Sequence, residues 1–253
     1  MDIILYNIGT AIILFLTGYL IGSIPNAIWI GKVFFHKDPR DFGSGNAGGT
    51  NAGRVFGKKI GVLVILLDGF KLIIPMYIAW VILVKAPIYH GIPLMGSLEE
   101  QLLGLNNYVI NWPIYWIMAL GVSIGHCFPV FAGFRGGKNV STFYGLVLGA
   151  SWVMGLIPIL FFFIILKWKK YVSLASILSS WFAVLLTWIW AILIQTHTVP
   201  VEWAYIVSYG HSLLCNYVFA IMATVSAALL TFSHRTNISR LKNGSESKIK
   251  WMK

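Results

Sequence analysis

The chain has 253 residues, of which 58% are hydrophobic and only 11% are charged, and its mean hydropathy is +0.78. Charged residues make up about a quarter of a soluble globular domain, so this composition excludes that class and indicates a protein that crosses a membrane several times. The formal net charge of +11 needs no nucleic acid to explain it, because the Lys and Arg of a membrane protein collect in its cytoplasmic loops.

The first apolar segment, residues 3–30, predicts a membrane helix. It is not expected to be a cleaved signal peptide, because no basic residue precedes it. Pro25 and Asn26 predict a kink near the inner end of this helix. The next stretch, residues 32–59, holds six Lys and Arg against two Asp. That excess places the stretch in the cytoplasm and the N-terminus outside.

Residues 60–84 predict a helix that returns outward and carries two charges within its apolar length. Asp68 and Lys71 are three residues apart, so they share a helix face and can form an ion pair. Charges at membrane depth are costly unless they face the interior of the protein. The pair is interpreted either as structural or as part of a nearby site.

An outer connection, residues 85–111, holds one Lys against Glu99 and Glu100, and residues 112–131 predict a helix that comes back in. Lys138 and Lys167 both belong inside by charge, so the segment between them must cross an even number of times. Its length of about 28 residues suffices for one ordinary span. We therefore predict two short or re-entrant helices with a bend near residues 149–155.

Residues 174–195 and 203–232 predict the last two spans, and a tail follows with six Lys and Arg and a single acid, Glu246. The expected fold is all-α: a polytopic membrane bundle of about seven helices, five of them full spans and two short or re-entrant. The C-terminus is expected in the cytoplasm. We expect one integral membrane domain over residues 1–253.

A polar, glycine-rich loop, residues 40–54, lies between two apolar segments and reads RDFGSGNAGGTNAGR. Its glycines can turn several backbone N–H groups toward one point, which suits an anion. A flexible linker is the alternative, but a linker needs no interleaved asparagine, threonine and arginine. The loop is not a nucleotide-binding P-loop, because no G-x-x-x-x-G-K-[ST] pattern occurs in it.

Four polar clusters fall on the cytoplasmic side of this topology. They are the glycine-rich loop from Ser44 to Arg54, His126 with Arg135 and Lys138, Ser173 with Ser176, and the HRTN run that includes His234 and Asn237. Each cluster alone has an ordinary structural explanation. Several cations among serines and asparagines, without an acidic cluster, indicate phosphorylated substrates and no metal. The cysteines, Cys127 and Cys215, suggest neither a disulfide framework nor a zinc site, and no cofactor is expected.

Five sequence blocks together resemble those of the bacterial membrane acyl-phosphate:glycerol-3-phosphate acyltransferases, the PlsY family. The blocks are GSIPNAIWIGK (22–32), RDFGSGNAGGTNAGR (40–54), GHCFPVFAGFRGGKNVST (125–142), KYVSLASIL (170–178) and HRTNI (234–238). The resemblance implies transfer of a fatty acyl group from acyl phosphate to the sn-1 hydroxyl of glycerol 3-phosphate. The products are lysophosphatidate and phosphate, in the first step of phospholipid synthesis. The implied location is the bacterial cell membrane, with the site on its cytoplasmic side.

The resemblance also implies which residues act. The catalytic group is Ser44, Arg54, His126, Lys138 and Asn237. The group that binds substrate and phosphate is Gly45, Asn46, Gly48, Thr50, Asn51, Arg135, Ser173, Ser176 and His234. This chain departs from the family with Arg135 in place of lysine, Gly49 in place of alanine and Ser141 in place of alanine. The first change keeps a cation of different shape.

An acyl phosphate is already activated, so the enzyme must hold two polyanions together and aim a hydroxyl at a carbonyl carbon. The predicted cations neutralise the phosphates, and Asn46, Asn51 and Asn237 orient glycerol 3-phosphate. We expect Ser44 to hydrogen-bond the acyl phosphate with no covalent step. The base for the hydroxyl stays open between His126, His234 and a substrate phosphate oxygen.

The competing class is a membrane transporter of a phosphorylated solute, since broken helices and a cationic pocket are also transporter features. Two observations favour the enzyme: the sequence has no inverted repeat, and its polar groups lie at one surface. Acyl-chain preference and oligomeric state stay open.

Overall fold

The computed structural model of the protein describes residues 2–86, 94–95, 113–209 and 217–249. Most of the predicted outer connection, with Glu99 and Glu100, and also Cys215 lie outside the described residues. The chain divides into two compact units, Met1–Leu146 and Val147–Lys253. The single domain expected from the sequence stays a prediction.

Helices account for the regular structure of the described residues, which contain no β-strand. In the first unit they are α1 (Asp2–Gly22), α2 (Asn26–Phe35), α3 (Gly49–Phe56), α4 (Lys58–Trp80) and α5 (Tyr115–Cys127). The helix α6 (Val140–Ala150) runs across the boundary between the units, and the second unit holds α7 (Trp152–Lys169), α8 (Val172–Gln195), α9 (Val201–Val207), α10 (Tyr217–Ser233) and α11 (Arg235–Lys242). Short 3-10 turns cover Pro39–Asp41 and Val130–Ala132, and a π turn covers Val81–Lys85.

In the first unit, glycines let α1 and α5 pack with their backbones in contact. A Cβ added at Gly18 or Gly22 would overlap backbone atoms of α5, and one at Gly121 or Gly125 would overlap backbone atoms of α1. Small residues permit this close approach of membrane helices. The contact fixes the C-terminal end of α5, which carries His126.

The predicted kink near Pro25 is confirmed as a break between α1 and α2. Residues 23–25 are not helical, and α2 begins at Asn26. Pro25 lacks the backbone N–H that would continue the helix. The break leaves the Ile24 carbonyl oxygen available, and Lys71 Nζ donates a hydrogen bond to it over 3.0 Å.

The predicted bend near residues 149–155 is confirmed between α6 and α7. Ser151 has extended backbone and caps α7, because its Oγ accepts a hydrogen bond from Met154 N over 3.2 Å. Of the two helices on either side of this bend, only α6, with 11 residues, is short. The helix α7 has 18 residues and is long and apolar enough to cross a membrane, so the prediction of two short helices holds for one of the pair.

Two Trp–Thr pairs join α8 to α10 in the second unit. Trp181 Nε1 donates to Thr231 Oγ1 and Trp188 Nε1 donates to Thr224 Oγ1, each over 3.0 Å. The members of both pairs are seven residues apart on each helix and run in opposite order, so α8 and α10 are antiparallel. The predicted span over residues 203–232 is divided: α9 ends at Val207, and α10 begins at Tyr217.

Five helical segments of the described residues are long and apolar enough to cross a membrane. A sixth is added when α10 and α11, which are bent by 58° at their junction, are counted as one. The expected all-helical, multi-pass membrane protein is therefore confirmed.

Candidate active site

The glycine-rich loop is an ordered turn built around the side chain of Asn51. This side chain is buried, and its Oδ1 accepts a hydrogen bond from Ser44 N over 2.8 Å. Its Nδ2 donates to the backbone carbonyls of Pro39 at 2.7 Å, Asn46 at 2.9 Å and Phe42 at 3.1 Å. The loop is therefore no flexible linker. These contacts make Asn51 the residue that orders the loop, a different role from the predicted orientation of glycerol 3-phosphate.

Two glycines of the loop adopt backbone angles that other residues rarely reach. Gly43 and Gly45 have φ values of 62° and 66°, in the left-handed region that glycine occupies without a Cβ penalty. Gly43 also passes directly beside Asn51 Oδ1, so that a Cβ there would overlap it. The turn and its central asparagine thus require each other.

The last part of the glycine-rich loop forms the start of α3, with Gly48 as its N-cap and Gly49 as its first residue. The first N–H groups of a helix have no partner within it and suit an anion. Gly49 packs against α4: a Cβ there would lie 2.5 Å from Ile65 Cγ1 and 2.8 Å from Gly61 O. This glycine therefore fits a close helix contact.

Several predicted ligands of the loop point outward. Ser44, Gly45, Thr50 and Arg54 are exposed, and no hydrogen bond or ion pair joins Arg54 to another described residue. Asn46 is half-buried, and its Oδ1 accepts from Gly48 N over 2.9 Å. The exposed hydroxyls of Ser44 and Thr50 therefore lie near the start of α3, and Arg54 lies in its last turn.

The first unit brings the glycine-rich loop to the segment that follows α5. Arg40 Nη1 donates to Ala132 O over 2.8 Å, and Asn46 Nδ2 reaches Gly136 O at 3.5 Å. Two of the four predicted clusters therefore lie together, with Arg135 exposed and Lys138 half-buried at the same place in the chain.

Sequence reasoning missed Arg40 as the link between these two segments. Its guanidinium pairs with Asp38, with 2.8 Å between Nη2 and Oδ2. The hydrogen bond from Arg40 holds the pKa of the Asp38 carboxyl below its ordinary value. Arg40 opens the glycine-rich block, but only the fold shows that its fork spans from Asp38 to Ala132.

His126 lies in the last turn of α5, inside a buried polar cluster of the first unit. Its Nδ1 lies 3.7 Å from Asp68 Oδ1, beyond hydrogen-bond distance, and the same oxygen accepts from Lys71 Nζ at 3.0 Å and from Asn26 Nδ2 at 2.9 Å. The ion pair of Asp68 and Lys71 is therefore confirmed. It lies in a cleft that is also lined by His126 and Gly137, so it belongs to the site region.

In the second unit, a second group gathers around Glu246, which sequence reasoning did not select. Its Oε1 accepts from Ser173 Oγ and Asn237 Nδ2, and its Oε2 accepts from Arg240 Nε, each at 2.7 Å. Two predicted site residues, Ser173 and Asn237, are thus held by one carboxylate. The signal in the sequence was that Glu246 is the one acid of a basic tail.

The other two predicted residues of the second unit turn toward their own helices. Ser176 Oγ donates to Val172 O over 2.9 Å, and His234 Nδ1 lies 2.8 Å from Leu230 O. Because a carbonyl oxygen only accepts, this contact requires a proton on Nδ1. Both residues are buried. The four predicted clusters therefore form two groups, one in each unit.

We expect the Glu246 group to stabilise the fold in a pH-dependent way. Burial raises the pKa of this carboxyl, but hydrogen bonds from Arg240, Asn237 and Ser173 outweigh burial and hold the pKa below its ordinary value. The stabilisation is present in full above the ordinary pKa of about 4.3 and is lost as pH falls through the lower folded value. The Tm gap between wild type and Glu246→Gln should be full at neutral pH and close under acid.

Thermal unfolding of the detergent-solubilised protein from neutral to acid pH measures this gap. Glu202→Gln is the control, since Glu202 is exposed on α9 and its substitution should leave Tm unchanged at each pH. A gap for Glu246→Gln that widens toward acid pH would contradict the prediction.

The described part of the chain contains no group of three His, Cys, Asp or Glu that could hold a metal ion. The features present are an ordered glycine loop, a helix N-terminus and exposed arginines next to a membrane bundle. They define a class: a polytopic membrane protein whose polar groups suit phosphorylated substrates.

Comparison with known proteins narrows this class to a family. The family model of glycerol-3-phosphate acyltransferase matches residues 12–244. The glycerol-3-phosphate acyltransferase of Staphylococcus carnosus (strain TM300) is 34% identical over 241 residues, which is 95% of this chain and 98% of that protein. The enzyme of the same name from Staphylococcus aureus (strain bovine RF122 / ET3-1) is 36% identical over the same length and shares.

Solved structures agree. The crystal structure of PlsY, an integral membrane glycerol 3-phosphate acyltransferase, in its glycerol 3-phosphate form matches with a TM-score of 0.68 and 32% identity, over 95% of this chain and 96% of that one. Its lysophosphatidic acid form matches with a TM-score of 0.66 and 31% identity, over 95% of each chain. The chain therefore belongs to the glycerol-3-phosphate acyltransferase family, the PlsY family of integral membrane enzymes, and acylates glycerol 3-phosphate in phospholipid synthesis.

Proposed function

We propose that the acyl donor is a fatty acyl phosphate and that the acceptor is the sn-1 hydroxyl of glycerol 3-phosphate. The hydroxyl oxygen attacks the acyl carbonyl carbon, the carbon–oxygen bond to phosphate breaks, and the products are lysophosphatidate and inorganic phosphate. The related PlsY structures in glycerol 3-phosphate and lysophosphatidic acid forms support this acceptor and this product.

The observation that carries the proposal is the ordered loop beside exposed cations. Asn51 fixes the turn, so the N–H groups at the start of α3 are preorganised for a phosphate. Preorganised donors cost no rearrangement when charge builds up during reaction. Arg54, in the last turn of α3, and Arg135 are exposed, and Lys138 follows the glycine pair. Two phosphorylated substrates repel each other, and these three cations would offset that repulsion.

In this proposal the predicted residues of the second unit keep their roles toward substrate. Asn237 orients glycerol 3-phosphate, and Ser173, Ser176 and His234 bind substrate. Ser44 hydrogen-bonds the acyl phosphate without a covalent step. The hydroxyl proton passes to His126, to His234 or to a phosphate oxygen, and phosphate leaves with the electron pair of the broken bond.

In the proposed topology seven helices lie in the membrane: α1 with α2, then α4, α5, α6, α7, α8 and α10. The N-terminus is outside, and the C-terminus and the site face the cytoplasm of the bacterial cell. The distribution of charge supports this orientation. All but Lys71 and Lys85 of the 19 Lys and Arg then fall on the cytoplasmic side.

Phosphate release by the purified protein tests the donor. With palmitoyl phosphate and glycerol 3-phosphate we expect phosphate and 1-palmitoyl lysophosphatidate in equal amounts, with both substrates required. Palmitoyl-CoA and palmitoylated acyl carrier protein should give no product, because they bring no phosphate to the loop at the reacting carbon. Acylation from palmitoyl-CoA without any from palmitoyl phosphate would contradict the proposed donor.

A further inference from the structure

Asp68 anchors a cluster of polar groups that comes from four parts of the first unit. It is 1% exposed, and a single oxygen, Oδ1, faces Asn26 at 2.9 Å, Lys71 at 3.0 Å and His126 at 3.7 Å. Lys71 Nζ also donates to Ile24 O at 3.0 Å. The cluster therefore ties the break after α1, the start of α2, the middle of α4 and the end of α5.

Stability alone is a weak reason for such a cluster. Taking a carboxylate and an ammonium out of water costs several kcal/mol for each ion, and neutral side chains often pack as well or better. Ionisable groups within membrane helices more often mark a functional site. The position of the cluster supports a functional role, because it lines a cleft together with Ala47 of the glycine-rich loop and with Gly136 and Gly137.

His126 connects the cluster to the second predicted motif. A Cβ on Gly137 would overlap His126 Nε2, so the imidazole edge rests on the backbone of that glycine. Gly137 N donates to His126 O over 2.9 Å, and Gly136 N donates to Cys127 O over 3.2 Å. The glycine pair thus folds back onto the end of α5, and the next residue along the chain is Lys138.

We propose that Asp68 is a positioning residue for acyl transfer: it holds His126 against Gly137, and through this contact it sets the place of Lys138. The inference rests on the proposed roles of His126 and Lys138. In the alternative, purely structural role, the Asp68 carboxylate would serve only to neutralise Lys71.

A pair of neutral substitutions separates the two roles. Asp68→Asn alone leaves the Lys71 ammonium buried without its counter-charge, and both Tm and turnover should fall. Asp68→Asn combined with Lys71→Gln removes both charges and keeps an acceptor and a donor, so it should recover most of the lost Tm. Turnover should stay about 10- to 100-fold below wild type, because a shift of about 1 Å in a reacting group costs that much.

The measurements are thermal unfolding and phosphate release for wild type, both single variants and the double variant. Glu202→Gln is the matched change of carboxylate to amide at an exposed position, and it should leave both values unchanged. A double variant that recovers turnover together with Tm would overturn the proposal, since the charge balance would then be all that Asp68 supplies.

Two further readings cover the other outcomes. If the double variant does not fold, Asp68→Glu replaces it as the test, because this variant keeps the charge and lengthens the side chain. We expect a folded enzyme with reduced turnover, and wild-type turnover overturns the proposal.

The rise of Tm on adding glycerol 3-phosphate does not depend on the acyl donor. It should be smaller in the double variant than in wild type even if palmitoyl phosphate proves not to be a substrate, and an equal rise would count against the proposal.

Discussion

Arg54→Ala lowers kcat/KM for palmitoyl phosphate and glycerol 3-phosphate by about 100- to 1,000-fold, the usual loss when a preorganised charge-stabilising group is removed. The protein stays folded with an unchanged Tm, because Arg54 is exposed and bonds to no other described residue. Lys138→Ala lowers turnover in the same direction. Arg54→Lys restores part of the rate. Lysine keeps the charge but lacks the planar guanidinium that donates two hydrogen bonds to one phosphate.

Lys59→Ala is the matched control for Arg54→Ala. Lys59 is also exposed and lies five residues further along, in the first turn of α4, so the net charge changes by the same amount close by. We expect wild-type kinetics from it. Equal kinetics in the Arg54 and Lys59 variants would remove Arg54 from the site.

Asn51→Asp should disable the enzyme through the fold of the loop. The new carboxylate has the shape of asparagine, and one oxygen can still accept from Ser44 N. Its other oxygen would face the carbonyls of Pro39, Phe42 and Asn46, which now accept hydrogen bonds at 2.7 to 3.1 Å. Each buried polar group left unsatisfied costs about 1–3 kcal/mol. We expect a clear fall in Tm and a loss of turnover of about 100-fold or more, as expected when reacting groups shift by about 1 Å.

Two further variants serve as references for the effect of Asn51→Asp. Asn51→Ala removes the same hydrogen bonds without placing an oxygen against three others, so it should be less harmful than Asn51→Asp. Asn243→Asp makes the same chemical change at an exposed residue after α11 and should leave Tm and turnover unchanged. An Asn51→Asp enzyme with normal turnover would mean that the order of the loop is not needed for catalysis.

Much of the fold could be predicted because its signals are local. Proline at 25 cannot continue a helix, and charges at 68 and 71 share a helix face; the structure has the break and the ion pair. The length of α7 was underestimated because its 18 residues follow a break of a single residue, Ser151, where a wider turn was expected.

The roles of individual site residues were harder to predict because they depend on tertiary contacts. An asparagine in a glycine-rich loop can bind a substrate or its own backbone, and only the fold shows that the side chain of Asn51 is directed to the backbone. A serine in a helix often bonds back to its own carbonyls, as Ser176 does. The partners of Glu246 could not be predicted, because this residue is nine residues from Asn237 and 73 from Ser173, and the tail must fold to bring them together.

The central claim is that the predicted site residues lie on the cytoplasmic face of the membrane. Single cysteines in place of Asp41 and Ser247, both exposed, test it in a chain whose own Cys127 and Cys215 have been replaced. A maleimide that cannot cross membranes should label both positions in inverted vesicles and neither position in sealed right-side-out vesicles. Labelling of the two positions from opposite sides of the membrane would contradict the claim.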